Sequence, residues 1–112
     1  MVPSTIKGVV QVQCGIQHCL ALTREGNVLA WGDNSYGQTN VPADLGKCTA
    51  VRASRWSSAA RKEDGTWRAW GYEAGGVIAK INSLGKAIDL SFYVADYSGK
   101  GTGCVVWIEP ID

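Results

Sequence analysis

The chain repeats itself every 39 residues, and that period limits its fold more than any other feature. Trp31 and Trp70, Gly32 and Gly71, and Gly37 and Gly76 are each 39 residues apart. Gly26 and Gly65, Val12 and Val51, Ala30 and Ala69, Leu45 and Leu84, and Lys47 and Lys86 keep the same offset. Val2-Pro3 stands one period before Val41-Pro42. The chain therefore divides into three units, at about 2–40, 41–79 and 80–112. The third unit is degenerate: Cys104-Val105-Val106-Trp107 matches Thr66-Trp67-Arg68-Ala69-Trp70 only after a small deletion. Terminal repeats are often atypical, because their outer face has no neighbour of the same kind.

Within a unit the apolar residues alternate. Val10, Val12 and Cys14 interleave with Gln11 and Gln13, and Leu20 and Leu22 with Ala21 and Thr23. Period 2 with turn residues between the runs predicts antiparallel strands. They are expected at 9–14, 18–23 and 27–31, again at 49–53, 57–62 and 66–70, and finally at 87–92 and 103–109. Glu25-Gly26-Asn27 and Asp64-Gly65-Thr66 supply hairpin turns. No window of about 11 residues has a strong helical period, so an all-β protein with little or no helix is expected. A repeat near 40 residues built of short strands is one blade of a β-propeller.

A family resemblance rests on specific residues. Cys14-Gly15-Ile16-Gln17-His18-Cys19-Leu20-Ala21-Leu22, followed by Gly26, Ala30-Trp31-Gly32 and Gly37-Gln38, resembles the repeat of the regulator of chromosome condensation family. The Gln38-Thr39-Asn40-Val41-Pro42-Ala43 segment is similar to a bacterial branch, the β-lactamase inhibitor protein II type. A bacterial or phage source fits that branch. The match is dense over 9–48, fair over 49–76 and poor over 80–112; Ala53-Ser54 and Ser57 depart from the Cys-Gly and His of the first unit.

Three blades fall short of the four to eight that close a propeller. If one blade contact buries on the order of 500 Å² of apolar surface, its gross value is roughly 12 kcal/mol. That is comparable to the whole stability of a small domain, about 5–15 kcal/mol. Two chains joined about a two-fold axis would make a six-bladed ring, so a homodimer is expected. A fragment of a longer propeller is the alternative. Pro110-Ile111-Asp112 reads as a natural stop at a seam.

Candidate chemistry is sparse. His18 is the only histidine and reads as structural, so no Ser-His-Asp set can be assembled. Asp33, Asp44 and Asp64 sit in turns. Gly99-Lys100-Gly101-Thr102-Gly103 lacks the order of a phosphate loop and reads as a hairpin. Cys14, Cys19, Cys48 and Cys104 show no metal-ligand spacing and read as buried thiols, a disulfide requiring an oxidising compartment. No enzyme activity, cofactor or metal is expected.

Binding is the better reading. The resemblance implies that the two residues between the Gly and His positions form a partner-facing rim, here Ile16-Gln17 and Arg55-Trp56. Tyr93, Asp96 and Tyr97 extend it from the third unit, near Phe92. A second rim is expected at Asp33, Asn34, Tyr36, Tyr72 and Glu73. Trp56 is read as exposed and, with Arg55, is of the type over-represented at interface hot spots. Trp31, Trp70 and Trp107 read as core, and Trp67 as packing between blades. A protein partner of the inhibitor type is the first expectation and a sugar the second. An exchange factor for small GTPases is disfavoured, since no acidic wedge is present.

Composition excludes some partners. A net charge of +1 gives no argument for nucleic acid. No apolar run nears the ~18 residues of a membrane span. No signal peptide is visible, which points to the cytoplasm, although a mature secreted form would carry the same sequence.

Overall fold

In a computed structural model, residues 8–72, 76–97 and 100–108 are described, except for the side chains of residues 91 and 93–108. Strand β1 (Val9–Cys14) pairs with β2 (His18–Thr23), and β2 pairs with β3 (Val28–Gly32), all antiparallel. Strands β4 (Cys48–Ala53), β5 (Ser57–Lys62) and β6 (Trp67–Gly71) repeat that order in a second sheet. Strands β7 (Asp89–Tyr97) and β8 (Lys100–Ile108) form a two-stranded hairpin. The all-β propeller reading holds: two three-stranded blades are followed by a hairpin.

The period is written in the backbone. Gly26 and Gly65 have φ of 91° and 89°, Gly32 and Gly71 of 107° and 110°, and Gly37 and Gly76 of 78° and 75°. Turn bonds repeat too: the Gly26 N–H donates to Thr23 O, and the Gly65 N–H to Lys62 O, both at 2.9 Å. Bonds between units follow the same offset. The Cys48 N–H donates to Gly26 O at 2.8 Å, and the Ala87 N–H to Gly65 O at 3.0 Å.

Two apolar clusters hold the units together. Leu20 and Leu22 of β2 pack against Val51, Ala60 and Trp70 of the second sheet, with Leu45 beneath. Ala59, Trp67 and Ala69 on the opposite face of that sheet pack against Val77, Ile81, Ala87 and Leu90. Trp67 therefore packs between units, as the sequence indicates. Each indole is anchored: Trp70 Nε1 donates to Gln38 O at 2.9 Å and Trp67 Nε1 to Ala87 O at 3.1 Å. Arg61 Nε donates to the same Ala87 oxygen at 2.9 Å, and Arg52 bridges to Asp89 at 2.7 Å.

Several expectations need correction. Helix α1 (Val77–Ser83) follows Gly76, where the first unit has an irregular segment. Val77 and Ile81 are four residues apart and both buried, which suits one helical face. Pro42 occupies the place of Ile81 in the first unit and cannot sit inside a helix. Seven residues were too few for a periodicity window to register. The Cys104–Trp107 run lies in β8, beside β7, and so takes the place of a second strand rather than of β6.

Trp31 is half-buried rather than core, because none of the described residues forms a core cluster on its face of the first sheet. The Trp107 side chain lies outside the described residues. Cys14 and Cys19 are not reduced thiols but a disulfide across a directly opposed pair of β1 and β2. Cys48 is a free buried thiol, and burial pushes its pKa up.

Candidate functional site: an aromatic rim shared by two blades

Antiparallel pairing decides where the loops fall. The end of β1, the start of β2 and the end of β3 share one edge of the first sheet, and β4–β6 place their loops the same way. The loop at Gly15–Gln17 and the loop after Gly32 are therefore neighbours. The Asp33 N–H donates to Gln17 O at 2.7 Å, and in the next blade the Tyr72 N–H donates to Trp56 O at 3.0 Å. Among the described residues, the loops of the two rims expected from the sequence lie side by side in each blade.

The close approach explains the glycines. A Cβ on Gly71 would lie 2.8 Å from both Ser57 Cα and Trp56 O, and a Cβ on Gly32 would lie 2.9 Å from His18 Cα. With φ beyond 100° at both, no L-residue fits without strain. The preceding loops match as well: the Gly15 N–H donates to His18 O at 2.8 Å and the Ser54 N–H to Ser57 O at 2.9 Å. The blades meet here, where the Ile16 N–H donates to Arg55 O at 3.2 Å.

His18 serves as a strut between the blades. It is 2% exposed, and Nε2 donates to Ser57 O at 3.1 Å, which assigns that proton to Nε2. The acceptor is the residue one period on, so His18 joins the first blade to the equivalent place in the second. Nδ1 is buried and, among the described residues, has no hydrogen-bond partner. Burial holds the imidazole below its ordinary pKa, with the Ser57 carbonyl and the Asp33 charge opposing. In the second blade Ser57 replaces this histidine, and its Oγ donates to Tyr72 O at 2.6 Å.

The rim aromatics converge. Tyr36, from the first blade, lies 4.7 Å from Tyr72 and 5.7 Å from Trp56, centroid to centroid, both from the second blade. Trp56 and Tyr72 meet edge to face at 5.6 Å, a favoured arrangement. The Arg55 guanidinium carbon lies 5.5 Å from the centre of the Trp56 ring, within cation–π reach. Trp56 and Tyr72 are half-buried, so Trp56 is not fully exposed, whereas Tyr36 is 46% exposed. Ile16 and Gln17 are exposed beside them. A cavity of about 310 Å³ opens between Cys14–Ile16, Ala53–Arg55 and Phe92, bringing in the third unit.

Other predicted residues serve the loop itself. Asp33 accepts from Ser35 Oγ at 2.7 Å and from Gln38 Nε2 at 3.1 Å. Asn34 donates to Asn40 Oδ1 at 3.0 Å and accepts from the Thr39 N–H at 2.9 Å. Glu73 lies outside the described residues. Tyr93, Asp96 and Tyr97 are in β7, and their side chains lie outside the description. Sequence reasoning missed Gln38. It is fully buried, its side chain binds the Tyr36 N–H at 2.8 Å, and its carbonyl takes bonds from Ser58 Oγ and Trp70 Nε1. It ties the rim loop to the seam between blades. Its signal was a polar residue straight after the repeated glycine, at the place Val77 takes in the next unit.

Among the described residues, no group of three His, Cys, Asp or Glu could hold a metal ion. No helix among them is long and apolar enough to cross a membrane.

Residues 9–38 match the family described as "Regulator of chromosome condensation (RCC1) repeat". That segment runs from β1 through the Tyr36 loop to Gln38. The probable E3 ubiquitin-protein ligase HERC4 of Homo sapiens is 43% identical over 54 residues, covering 44% of this chain and 5% of that protein. The ultraviolet-B receptor UVR8 of Arabidopsis thaliana is 35% identical over 77 residues, covering 57% of this chain and 18% of that one. The chain thus spans under a fifth of either relative. Among solved structures, RCC1 (Prp20p) of Saccharomyces cerevisiae matches the whole chain over 33% of its own, with a TM-score of 0.60 at 14% identity. A second yeast RCC1 structure, bound to Kap60, gives 0.59 at 14% identity, also over the whole chain and 32% of its own. These likenesses show the fold: an RCC1-like propeller, with an RCC1 repeat in its first blade.

Proposed function

We propose that this chain is a non-enzymatic, protein-binding propeller module whose partner docks on the rim formed by Tyr36, Trp56, Tyr72 and Ile16. The observation that carries it is the aromatic cluster that two successive blades build jointly. Fixed rings offer contact area at low entropic cost, and Trp, Tyr and Arg dominate interface hot spots. The propeller supports the reading, since it is a scaffold that presents loops on rigid strands. Yeast RCC1, whose fold the chain shares, is described in complex with Kap60 and as binding Gsp1p and histones. The likeness of the Gln38–Ala43 segment to the β-lactamase inhibitor protein II branch favours an inhibitor among such binders. A homodimer completes the ring that carries the rim.

The test is affinity capture with wild type, Tyr36→Ala and Trp56→Ala, followed by a binding isotherm for the captured protein. Each substitution is expected to weaken binding at least tenfold while leaving the circular dichroism unchanged. Binding that ignores both substitutions would overturn the rim. Aromatic rings also stack on sugars, which keeps a lectin as the second reading. Saturable binding on a glycan array, lost in Trp56→Ala, together with no protein captured, would select it.

A further inference from the structure

The first blade carries a covalent bond at a place where the second has none. Cys14 ends β1, Cys19 is the second residue of β2, and their sulfurs are joined across a directly opposed pair. One period on, the same register pairs Ala53 with Ser58. The two loops nevertheless share a form. The Gly15 N–H donates to His18 O at 2.8 Å and the Ser54 N–H to Ser57 O at 2.9 Å. The bonds to the neighbouring loop match as well, from Asp33 to Gln17 O in one blade and from Tyr72 to Trp56 O in the other. The second blade builds this loop from hydrogen bonds, so the crosslink is not what folds it. A bond between residues only 5 apart also constrains the unfolded chain less than one that closes a long loop.

The two cysteines differ in access. Cys14 is exposed and lines the cavity beside Ile16, whereas Cys19 is half-buried. Thiol–disulfide exchange depends on which sulfur a thiolate can reach. The loop that the bond closes carries Ile16 and Gln17 of the rim. It also carries His18, whose Nε2 donates to Ser57 O in the next blade at 3.1 Å. Opening the bond therefore frees a rim loop while the strand pairing that frames it stays in place.

We infer that Cys14–Cys19 is a thiol-exchange site on the rim, where a low-molecular-weight thiol adds reversibly to Cys14 and releases the Ile16–Gln17 loop. The incoming thiolate attacks Cys14 Sγ and bonds to it as the Cys14–Cys19 bond breaks. The electron pair leaves on Cys19 Sγ, which takes a proton from water. A second thiolate attacks the added sulfur, forms the small-molecule disulfide and leaves Cys14 as a thiolate, which is then protonated. The protein disulfide gains two electrons, and two thiols are oxidised to one disulfide. Cys48 takes no part, being buried with its thiol pKa pushed up. The exchange stands without a partner, and its consequence for binding rests on the rim proposed above.

The test equilibrates the 112-residue chain with reduced and oxidised glutathione over a hundredfold range of ratios, followed by an acid quench and tandem mass spectrometry. The expected result is a reversible passage from disulfide to dithiol through a single glutathione adduct at Cys14, with circular dichroism unchanged. Cys19→Ser should keep the adduct on Cys14, and Cys14→Ser should carry at least tenfold less on Cys19. Amide hydrogen exchange of the wild type reads the loop without any substitution. Reduction should speed exchange at Gly15 at least tenfold and leave its counterpart Ser54 unchanged. Trp56→Ala should exchange thiols as the wild type does, so failure of the rim and failure of the exchange are distinguishable. A bond that survives every ratio, glutathione carried equally on Cys19, a Gly15 amide indifferent to reduction, or a chain that unfolds when reduced would overturn the inference.

Discussion

Trp70 and Trp31 occupy one position of the repeat in two environments, which makes their truncation a controlled comparison. Trp70 is 8% exposed, packs in the seam between the sheets and donates to Gln38 O at 2.9 Å. Removing a buried tryptophan side chain to alanine costs roughly 3–5 kcal/mol. The loss is moderated at one point, because Gln38 O keeps its bond from Ser58 Oγ at 2.8 Å. A domain of this size has about 5–15 kcal/mol in total, so Trp70→Ala removes a third or more of a mid-range stability. With a urea slope of about 2 kcal/mol per molar, the midpoint should fall by about 2 M. Trp31→Ala, made where the protein is monomeric, should cost well under half of that, since its ring already meets water. At high concentration the cost should rise, because the proposed homodimer would cover the ring. Urea unfolding followed by far-ultraviolet circular dichroism at two concentrations reads all of this. Equal and concentration-independent losses for the two variants would refute the argument, because the two faces would then be equally covered within one chain.

Two further predictions follow from the seam and the rim. Burial holds His18 below its ordinary value of 6.5, so the unfolded chain takes a proton that the folded chain resists. Its contribution is therefore intact above about pH 6.5 and is lost as pH falls below that value. Thermal melts should show the melting temperature dropping from pH 7 toward about pH 5, with a smaller slope in His18→Gln; an equal slope in both proteins would refute the strut. Gly71→Ala forces a φ of 110° on an L-residue and drives its Cβ into Ser57 and Trp56. The strained backbone alone should cost roughly 1–3 kcal/mol, and partner capture should fall with the displaced Tyr72; unchanged stability would count against the close approach.

Much of the fold was legible because the repeat is carried by glycines and tryptophans with geometric duties. Gly26, Gly32 and Gly37 adopt the same left-handed conformations as Gly65, Gly71 and Gly76, so spacing alone located the turns. Alternation placed the six strands of the first two units, since half-buried strands show period 2. Helix α1 was not legible, because two apolar residues in a seven-residue segment make no window. The Cys14–Cys19 bond was not legible either. Cysteine count says nothing of pairing, and only the β1–β2 register sets the two residues opposite each other.

At the site, residue identity was readable and arrangement was not. Ile16, Arg55, Trp56, Tyr36 and Tyr72 were picked out by type and loop position. That Tyr36 crosses from one blade to meet Trp56 and Tyr72 of the next is a tertiary fact, fixed by Gln38 beneath it. Trp31 was misplaced for a related reason. Its repeat position gives its direction, but burial also requires a neighbouring blade, and none of the described residues supplies one on that side of the first sheet.

The environment of Trp31 tests the central claim most directly. With the five tryptophans replaced by 5-fluorotryptophan, the Trp31 resonance can be assigned by its absence in Trp31→Phe and its solvent isotope shift followed on dilution. The account predicts a resonance shielded from solvent in concentrated solution, like that of Trp70, which becomes solvent-exposed as the protein is diluted. A Trp31 resonance with one unchanging isotope shift from the highest to the lowest concentration would contradict it.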